Sequence, residues 1–448
     1  MLSGPSGFIQ TMSDPRVLPF RLEALRVPRA VLAKQVGFQY DVDGFALADI
    51  SVDEHGVVAS LRPADAALPG PWIVFPALIE PHTHIDKAFT RARAPNPTQS
   101  FEGARQAIDL DRAKFFSDED AHTRMHRALS LAYSHGVVAV RTHLDSQPDR
   151  LQPCWEVFAR LRKEWAGKLH LQAVVSLGSA KLQGDHGEVL GRLAAEYGAL
   201  IGPVFYFDEE LGANVERAFA LGERYGVDLD VHVDENNWGH ANGMRAILDH
   251  LERKPFGGRL NLSHLCNLSR CSPEEIQVLA ARAAALGVSV ISLPVANLHL
   301  QERDAVHTPQ WRGLTPITAL LAAGVEVALG GDNSQDMFVP WGALDPLVIL
   351  REAILAAHIS APLGDAVRMV SGAAANILRL HDTTPIHVGQ LADFTLFKSH
   401  DPYGALSGDF EERLTLRRGK VVGSRVFTWP DHDFAGSGEP QSNRIKPV

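Results

Sequence analysis

The sequence predicts an α/β protein built on a (β/α)8 TIM barrel, with a smaller β-sandwich domain formed by both chain ends. Apolar, β-branched runs alternate with amphipathic helical stretches through the middle of the chain, and polar side chains follow the ends of these runs. Further short β-like segments lie towards both termini. We therefore assign the barrel to residues 76–382 and the β domain to residues 1–75 plus 383–448.

Eight apolar runs occur in the middle of the chain, which is the number that a barrel of this type requires. They end near Asp86, Asp145, Gly178, Phe207, Glu235, Cys266, His299 and Asp332. Apolar residues recur at helical spacing in the stretches 118–135, 154–166, 211–225, 273–286 and 315–323. The alternative is an open doubly wound sheet, which usually has a glycine-rich phosphate loop after its first strand. This chain has His82-Thr83-His84 at that position, which favours the barrel.

The two groups of terminal segments are each too short to form a stable sheet alone. The first group comprises residues 17–22, 46–52 and 56–61, and the second comprises residues 392–397 and 413–422. We expect the two groups to pair into one β-rich domain, with the barrel inserted between them.

Composition limits the classes of partner. The chain has 448 residues, 45% of them hydrophobic, and a formal net charge of −10, which disfavours a nucleic-acid or anionic-membrane surface. Its three cysteines show no CxxC spacing and predict no disulfide framework. No apolar stretch approaches a membrane span, and the first residues lack the features of a signal peptide. We expect a cytoplasmic homo-oligomer that binds a small molecule, without nucleic-acid or membrane partners.

Four residues at the ends of predicted strands form a candidate metal site. His82 and His84 follow the apolar run Ile73-Val74-Phe75, and in an extended chain their side chains point the same way. His232 lies at the end of the fifth run and Asp332 at the end of the eighth. One strand-end histidine is more often structural than a ligand. Three imidazoles and a carboxylate at the functional ends of barrel strands, however, suit a divalent transition metal with an open position for water.

Two further polar residues accompany this set. His264 ends the sixth run, which would place it beside that water. Glu235 lies three residues after His232 and is either a functional acid or a solvated loop residue.

At this point the chain resembles the amidohydrolase superfamily, and in particular its cytosine deaminase-like branch. Five segments carry the resemblance: Glu80-Pro81-His82-Thr83-His84-Ile85-Asp86, Val140-Arg141-Thr142-His143-Leu144-Asp145, Asp230-Val231-His232-Val233-Asp234-Glu235, Ser263-His264 and residues 294–304. The similarity extends from about residue 70 to about residue 425. It implies a metal-dependent hydrolase of a C–N bond on a small nitrogen heterocycle, acting as a hydrolytic deaminase.

The resemblance also implies roles for individual residues. One divalent ion, Zn²⁺ or Fe²⁺ with Mn²⁺ as a further option, would bind His82, His84, His232 and Asp332. Glu235 would move protons to and from the substrate, while His264 and Asp332 would orient the hydrolytic water and take its proton. Relatives with two metals carry a lysine at the end of strand 4, and the segment 202–207 contains none.

Two departures from the cytosine deaminases affect the substrate. Their pyrimidine-binding glutamine at the end of strand 3 corresponds to a position near Gly178, and their second aspartate after the metal aspartate corresponds to Asn333. Cytosine itself is therefore a doubtful substrate, because an unsatisfied buried polar group costs about 1–3 kcal/mol. The residues expected to bind substrate are Gly178, Asn297, Gln301, Asn333 and Phe338.

Two other functions remain open on the sequence. A cyclic amidase, or a hydrolase of N-acyl or alkylamino groups, would use the same water, and the pair Asp86-Lys87 is similar to relatives that remove an alkylamine from a triazine. Lys87 is equally well interpreted as a structural ion-pair partner. A non-catalytic scaffold protein would be expected to lack ligands, and none is missing here.

Overall fold

The computed structural model describes residues 19–32, 37–65, 70, 72–147, 151–238, 240–303, 306–381, 383–399, 401–407 and 412–426. The described residues form strands β1 (Phe20–Pro28), β2 (Phe45–Val52), β3 (Val58–Pro63), β4 (Trp72–Phe75), β5 (Leu78–Thr83), β6 (Val137–Asp145), β7 (His170–Gly178), β8 (Leu200–Val204), β9 (Leu229–Val233), β10 (Leu260–His264), β11 (Ser289–Ser292), β12 (Val327–Leu329), β13 (Phe394–Lys398), β14 (Glu412–Arg417) and β15 (Lys420–Val426). Two sheets contain all of them.

Helices connect the strands. They are α1 (Arg29–Leu32), α2 (Phe101–Phe115), α3 (Asp118–Ser134), α4 (Leu151–Glu164), α5 (Gly184–Tyr197), α6 (Leu211–Tyr225), α7 (Asn242–Arg253), α8 (Pro273–Ala285), α9 (Pro294–Leu300), α10 (Ile317–Ala322), α11 (Pro346–Ala357), α12 (Leu363–Ala366), α13 (Gly372–Ile377) and α14 (Pro402–Ser407). Short 3-10 helices occupy Ser179–Leu182, Cys266–Arg270 and Val367–Val370. Among the described residues, no helix has both the length and the apolar character needed to cross a membrane.

Strands β5 to β12 form the larger sheet, in which each strand pairs in parallel with the next along the chain. The first and last strands meet through a parallel bridge between Thr83 and Asp332, which closes the barrel. The amide of Asp332 donates to the carbonyl of His82 at 2.9 Å, and the amide of His84 donates to the carbonyl of Asp332 at 2.9 Å. The predicted (β/α)8 barrel is confirmed.

The smaller sheet combines both chain ends in the order β15-β14-β13-β4-β1-β2-β3. The two ends meet where β4 pairs antiparallel with β13, with Ile73 opposite Phe397. A separate apolar cluster, which includes Leu25, Ile50 and Phe394, packs on this sheet. The additional β domain from both chain ends is therefore present, and its seven strands form one hydrogen-bonded sheet.

Three details differ from the sequence-based expectation. The run Ile73-Val74-Phe75 lies in β4 of the smaller sheet, and the first barrel strand is β5, which starts after Pro76 and Ala77. The seventh barrel strand does not extend to the vicinity of His299 but ends at Ser292. Helix α9 starts with Pro294, since proline lacks a backbone donor and suits the first turn of a helix. The third difference is that residues 413–422 are not one strand, because β14 and β15 are joined by a turn at Arg418 and Gly419.

Candidate metal centre and active site

Four side chains converge at the carboxyl ends of three barrel strands. His82 lies in β5 and His84 directly follows it, His232 lies in β9, and Asp332 follows β12. Parallel strands of a barrel present their carboxyl ends to one face, which brings these residues together although up to 250 positions separate them. All four side chains are buried, with exposures between 0% and 5%.

The distances between the facing atoms are those of ligands around one ion. Nε2 of His84 lies 3.2 Å from Oδ1 of Asp332 and 3.3 Å from Nε2 of His232. Nε2 of His82 lies 3.6 Å from the same Oδ1 of Asp332 and has no hydrogen-bond partner among the described residues. Ligand atoms about 2.0–2.2 Å from a shared tetrahedral ion are separated by about 3.3–3.6 Å. The residues present therefore fit a divalent metal ion.

The backbone around Asp332 is held in an uncommon conformation. Its φ is 60°, a left-handed value that non-glycine residues adopt rarely. The hydroxyl of Thr83 donates to the carbonyl of Asp332 at 2.7 Å, while the amide of Gly331 donates to both carboxylate oxygens of Glu80 at 3.0 and 3.1 Å. The amide of His82 donates to Glu80 as well. The buried side chain of Glu80 thus fixes the backbone beside the ligands of β5 and β12, two of the three strands that carry ligands.

His264 and Glu235 lie beside this cluster. Oε2 of Glu235 is 3.6 Å from Nε2 of His264, and this nitrogen has no hydrogen-bond partner in the described part of the chain. Nδ1 of His264 lies 3.1 Å from Oδ1 of Asn297. Since an amide oxygen only accepts, Nδ1 carries the proton and Nε2 presents a lone pair towards Glu235. Neutral His264 is therefore oriented to accept a hydrogen bond at Nε2.

A helix terminus positions Glu235. The preceding residue, Asp234, has a φ of 55° and accepts hydrogen bonds from the amides of Gly243 and Met244, both at 2.9 Å. A Cβ added to Gly243 would lie 2.4 Å from Val233 and 2.9 Å from Asp234. Only glycine therefore allows the first turn of α7 to approach this closely, and the turn fixes the direction in which Glu235 leaves β9.

Burial and neighbouring charges shift the pKa values of the site. Burial, reinforced by the nearby Asp332 carboxylate, raises the pKa of Glu235 well above its ordinary value. Burial opposes ionisation of Asp332 too, but the imidazoles of His82 and His84 beside it hold its pKa well below the usual range. Burial lowers the pKa of His264 to about 4. At neutral pH the metal-free site therefore combines an ionised Asp332 with a neutral His264, while burial favours the protonated form of Glu235.

These residues open onto a cavity of about 400 Å³. We call its inner side the ligand wall, formed by His84, His232, Glu235, His264 and Asp332. We call a second group of lining residues the outer wall; it comprises Phe101, Arg105, Ile108, Asp109, Arg112, Lys181 and Phe338. The cavity also contacts Lys87, Asp145, Gln147, Ser176, Leu177, Gly178, Ala180, Val204, Tyr206 and Asn333. A volume of this size accommodates a small organic molecule.

The residues expected to bind substrate divide into two groups. Gly178, Asn333 and Phe338 line the cavity, as their predicted role requires. Asn297 and Gln301 lie behind the ligand wall instead, because α9 replaces the expected extension of the seventh strand. Asn297 contacts the ring of His264, and Nε2 of Gln301 is 3.5 Å from the carbonyl oxygen of Glu235. Asn297 and Gln301 therefore contact His264 and Glu235, which line the cavity, and are not themselves among its lining residues.

Apart from Phe338, the residues of the outer wall were not predicted from the sequence as site residues. Helix α2 supplies Phe101, Arg105, Ile108, Asp109 and Arg112 along one face. The available signal was Ser100, whose hydroxyl accepts from the amide of Gly103 at 3.0 Å and caps this helix.

Two neighbours of the ligands were not among the predicted site residues, although the sequence had left the role of Lys87 open. His143 stacks on His82 with ring centroids 3.9 Å apart, and neither of its ring nitrogens has a hydrogen-bond partner among the described residues. Lys87 lines the cavity, where its Nζ lies 3.1 Å from Nδ1 of His84 and 5.6 Å from the ring centroid of Phe338. His143 belongs to a segment that carries the family resemblance, but its motif alone assigned it no role.

More than half of this chain matches one protein family. A model described as Amidohydrolase family matches residues 114–422 of this chain. The resemblance inferred from the sequence motifs is confirmed.

Individual relatives agree with this match. The chain is 34% identical over 421 residues to a pterin deaminase from Rhizobium rhizogenes, covering 92% of this chain and 95% of the relative. It is 21% identical over 359 residues to an N-isopropylammelide isopropyl amidohydrolase from a Pseudomonas species, covering 78% of this chain and 86% of the relative. The fold is similar to that of 5-methylcytosine deaminase from Klebsiella pneumoniae, crystallised with 5-fluorocytosine, with a TM-score of 0.77 and 20% identity over 92% of this chain and 99% of that structure.

Proposed function

This chain belongs to the amidohydrolase family, and we propose that it is a metal-dependent deaminase that removes the exocyclic amino group of a pterin-like heterocycle. The observation that carries the proposal is the pairing of Glu235 with His264 at 3.6 Å, on the cavity side of the His/Asp cluster. A proton donor and a water-orienting base thus face one small cavity beside a set of metal ligands. The 34% identity to a pterin deaminase supports the choice of ring system.

The metal site is proposed as mononuclear. His82, His84, His232 and Asp332 would hold one ion, and this donor set suits Zn²⁺ or Fe²⁺, with Mn²⁺ as a further option. The ion, when bound, supplies the Lewis acidity that makes water a nucleophile at neutral pH. Strand β8, Leu200–Val204, contains no lysine that could bridge a second ion.

The side chains would then divide the proton transfers. Nε2 of His264 accepts a hydrogen bond from the attacking water, and Asp332 takes the proton that the water loses. Burial favours the protonated form of Glu235, which would donate to the ring nitrogen next to the carbon under attack. The proton that the water lost would then pass through Glu235 to the amino nitrogen. Its protonation lets the C–N bond break and ammonia leave. Water is consumed, and an oxo group replaces the amino group.

The outer wall would hold the ring in this position. Phe338 presents an aromatic ring to the cavity, braced edge-to-face by Phe101 at 5.7 Å. Such a ring suits a flat heterocycle, since aromatic contacts contribute about 0.5–1.5 kcal/mol beyond their buried area. Gly178 leaves space at the end of β7, where an added Cβ would contact only Tyr206 at 3.5 Å. The aromatic ring of Phe338 and the space beside Gly178 together support a flat two-ring substrate.

The test is ammonia release by the protein loaded with Zn²⁺. Pterin, guanine, cytosine and a cyclic amide are supplied separately, and Glu235→Gln serves as the inactive control. We expect ammonia from pterin with a higher kcat/KM than from cytosine. A ring-opened product from the cyclic amide, with no ammonia from any amino heterocycle, would contradict the proposal.

A second candidate is the removal of an alkylamine by the same site. It is favoured by the similarity to the N-isopropylammelide isopropyl amidohydrolase and by Lys87 in the cavity. An N-alkylamino triazine added to the same panel distinguishes it, because turnover would release the alkylamine rather than ammonia. We also propose that the protein is a cytoplasmic homo-oligomer, divided into a barrel of residues 76–382 and a β domain of residues 1–75 plus 383–448.

A further inference from the structure

A buried hydrogen-bond chain runs from His82 away from the cavity. Nδ1 of His82 lies 3.0 Å from the hydroxyl of Ser263, which lies 3.3 Å from Oδ1 of Asp230. Oδ2 of Asp230 accepts from Nη1 of Arg141 at 2.7 Å. The exposure of these four residues is between 0% and 2%. Charged residues are rarely buried so completely, and here Arg141 and Asp230 are buried as a pair next to a candidate metal ligand.

The direction of the chain follows from what each group can donate. Arginine only donates, and both oxygens of an ionised Asp230 only accept, so the hydroxyl of Ser263 donates to Asp230. The oxygen of Ser263 is then free to accept a proton from Nδ1 of His82. A proton on Nδ1 leaves the lone pair on Nε2, which faces Asp332 and has no hydrogen-bond partner among the residues that the structure describes. This chain of hydrogen bonds therefore favours the tautomer of His82 that can bind a cation through Nε2.

At the far end of this hydrogen-bond chain, further hydrogen bonds hold the guanidinium of Arg141. Nε and Nη2 of Arg141 donate to Oε1 of Gln172 at 3.0 and 2.9 Å, and Nη2 donates to the carbonyl of Ile377 at 3.1 Å. Arg141 lies in β6, Asp230 in β9 and Ser263 in β10. Four barrel strands, counting β5, thus contribute to the orientation of one imidazole.

Asp230 could instead be considered a metal ligand, because it forms a compact cluster with His82 and His143. Two contacts argue against that role. Its Oδ2 is occupied by the guanidinium of Arg141 at 2.7 Å, and its Oδ1 accepts from Ser263. A cation already lies against the carboxylate, and Coulomb repulsion disfavours a second one.

We propose that Ser263, Asp230 and Arg141 are positioning residues that hold His82 in the tautomer and orientation required for metal binding. The proposal rests on the metal site of the proposed function and is independent of the identity of the substrate. Partners of this kind orient ligating histidines, and their removal typically costs about 10–100-fold in metal affinity.

The test measures the affinity of the full chain for Zn²⁺ by competition with a chromogenic chelator. Ser263→Ala should weaken Zn²⁺ binding about 10–100-fold, while Ser263→Thr, which keeps a hydroxyl, should recover most of the affinity. The matched control is Ser292→Ala in the neighbouring strand β11. Ser292 is equally buried, but its hydroxyl has no hydrogen-bond partner within the described ranges, so the affinity should remain that of the unmodified protein.

A spectroscopic measurement separates positioning from general destabilisation. Co²⁺ bound to the Ser263→Ala variant should show a shifted visible spectrum, because the angle of one ligand changes, whereas Ser292→Ala should leave the spectrum unchanged. Asp230→Asn should weaken Zn²⁺ binding as well.

Wild-type Zn²⁺ affinity and an unshifted Co²⁺ spectrum in Ser263→Ala would overturn the positioning role while leaving the proposed metal site intact. Failure of the unmodified protein to bind Zn²⁺ or Co²⁺ would overturn both.

Discussion

The two walls of the cavity differ in construction. The ligand wall consists of residues at strand ends, and the exposure of its metal-binding candidates does not exceed 5%. The outer wall comes mainly from α2 and the loop after β12, where the side chain of Arg105 is 54% exposed. Buried strand ends can hold ligand atoms within tenths of an ångström, whereas a helix over the barrel mouth can change its side chains without disturbing the barrel. We infer that the ligand wall determines the chemistry and the outer wall selects the substrate.

The largest effect should come from the ligand wall. His232→Ala removes one of four proposed ligands, and we expect kcat/KM to fall by more than about 10³-fold, since the lost Lewis acidity is worth several kcal/mol. Bound zinc per chain, measured by elemental analysis, should fall in parallel. A variant that retains both zinc and activity would remove His232 from the metal site.

Glu235→Gln separates proton transfer from metal binding within the same wall. An amide cannot donate and recover a proton, so we expect kcat to fall by about 10²–10⁴-fold. The zinc content should remain at the wild-type level, because Glu235 is not among the proposed ligands. Unchanged kcat would show that another group moves the protons.

The loop of the outer wall should respond to pH through Asp336. This carboxylate accepts from the amides of Phe338 and Val339 at 2.8 and 2.9 Å, and burial raises its pKa to about 7. The unfolded chain loses this proton near its ordinary pKa of 3.8, so the folded state holds more protons between the two values. The resulting contribution to stability is fully present below about pH 4 and is lost as the pH rises to about 7.

The measurement is denaturant unfolding of the metal-free protein at pH 5 and pH 6. Asp336 should lower the free energy of unfolding by up to about 1.4 kcal/mol over that unit, and Asp336→Asn should show a shallower dependence. Equal slopes for the two proteins would mean that Asp336 does not carry the proton.

The smallest effect should come from the aromatic ring of the outer wall. Phe338→Ala should raise KM for pterin about 3–10-fold, which corresponds to a lost ring contact of about 0.5–1.5 kcal/mol. Zinc content and kcat should stay close to wild type, because Phe338 does not touch the ligands. A large fall in kcat with unchanged KM would instead place this ring in the chemical step.

The residues of the ligand wall could be predicted from the sequence because the pattern that marks them is local. Each proposed ligand follows an apolar run, and a barrel gathers such ends at one face. The outer wall gives no comparable pattern, since α2 contributes Arg105 and Arg112 from a connection that lies outside the strands. Asn297 was placed in the cavity because residues up to His299 were assigned to a strand, whereas Pro294 starts a helix there. Side-chain partners such as Ser263 and Asp230 are separated by 33 residues, and only the register of β9 and β10 brings them together.

The central claim is that one metal ion on the ligand wall is required for deamination. The most direct measurement adds Zn²⁺ in steps to metal-free protein and follows the rate of ammonia release from pterin. We predict that activity rises linearly and reaches its plateau at one equivalent of Zn²⁺ per chain. Full activity in the metal-free protein, or a plateau only at two equivalents, would contradict the account.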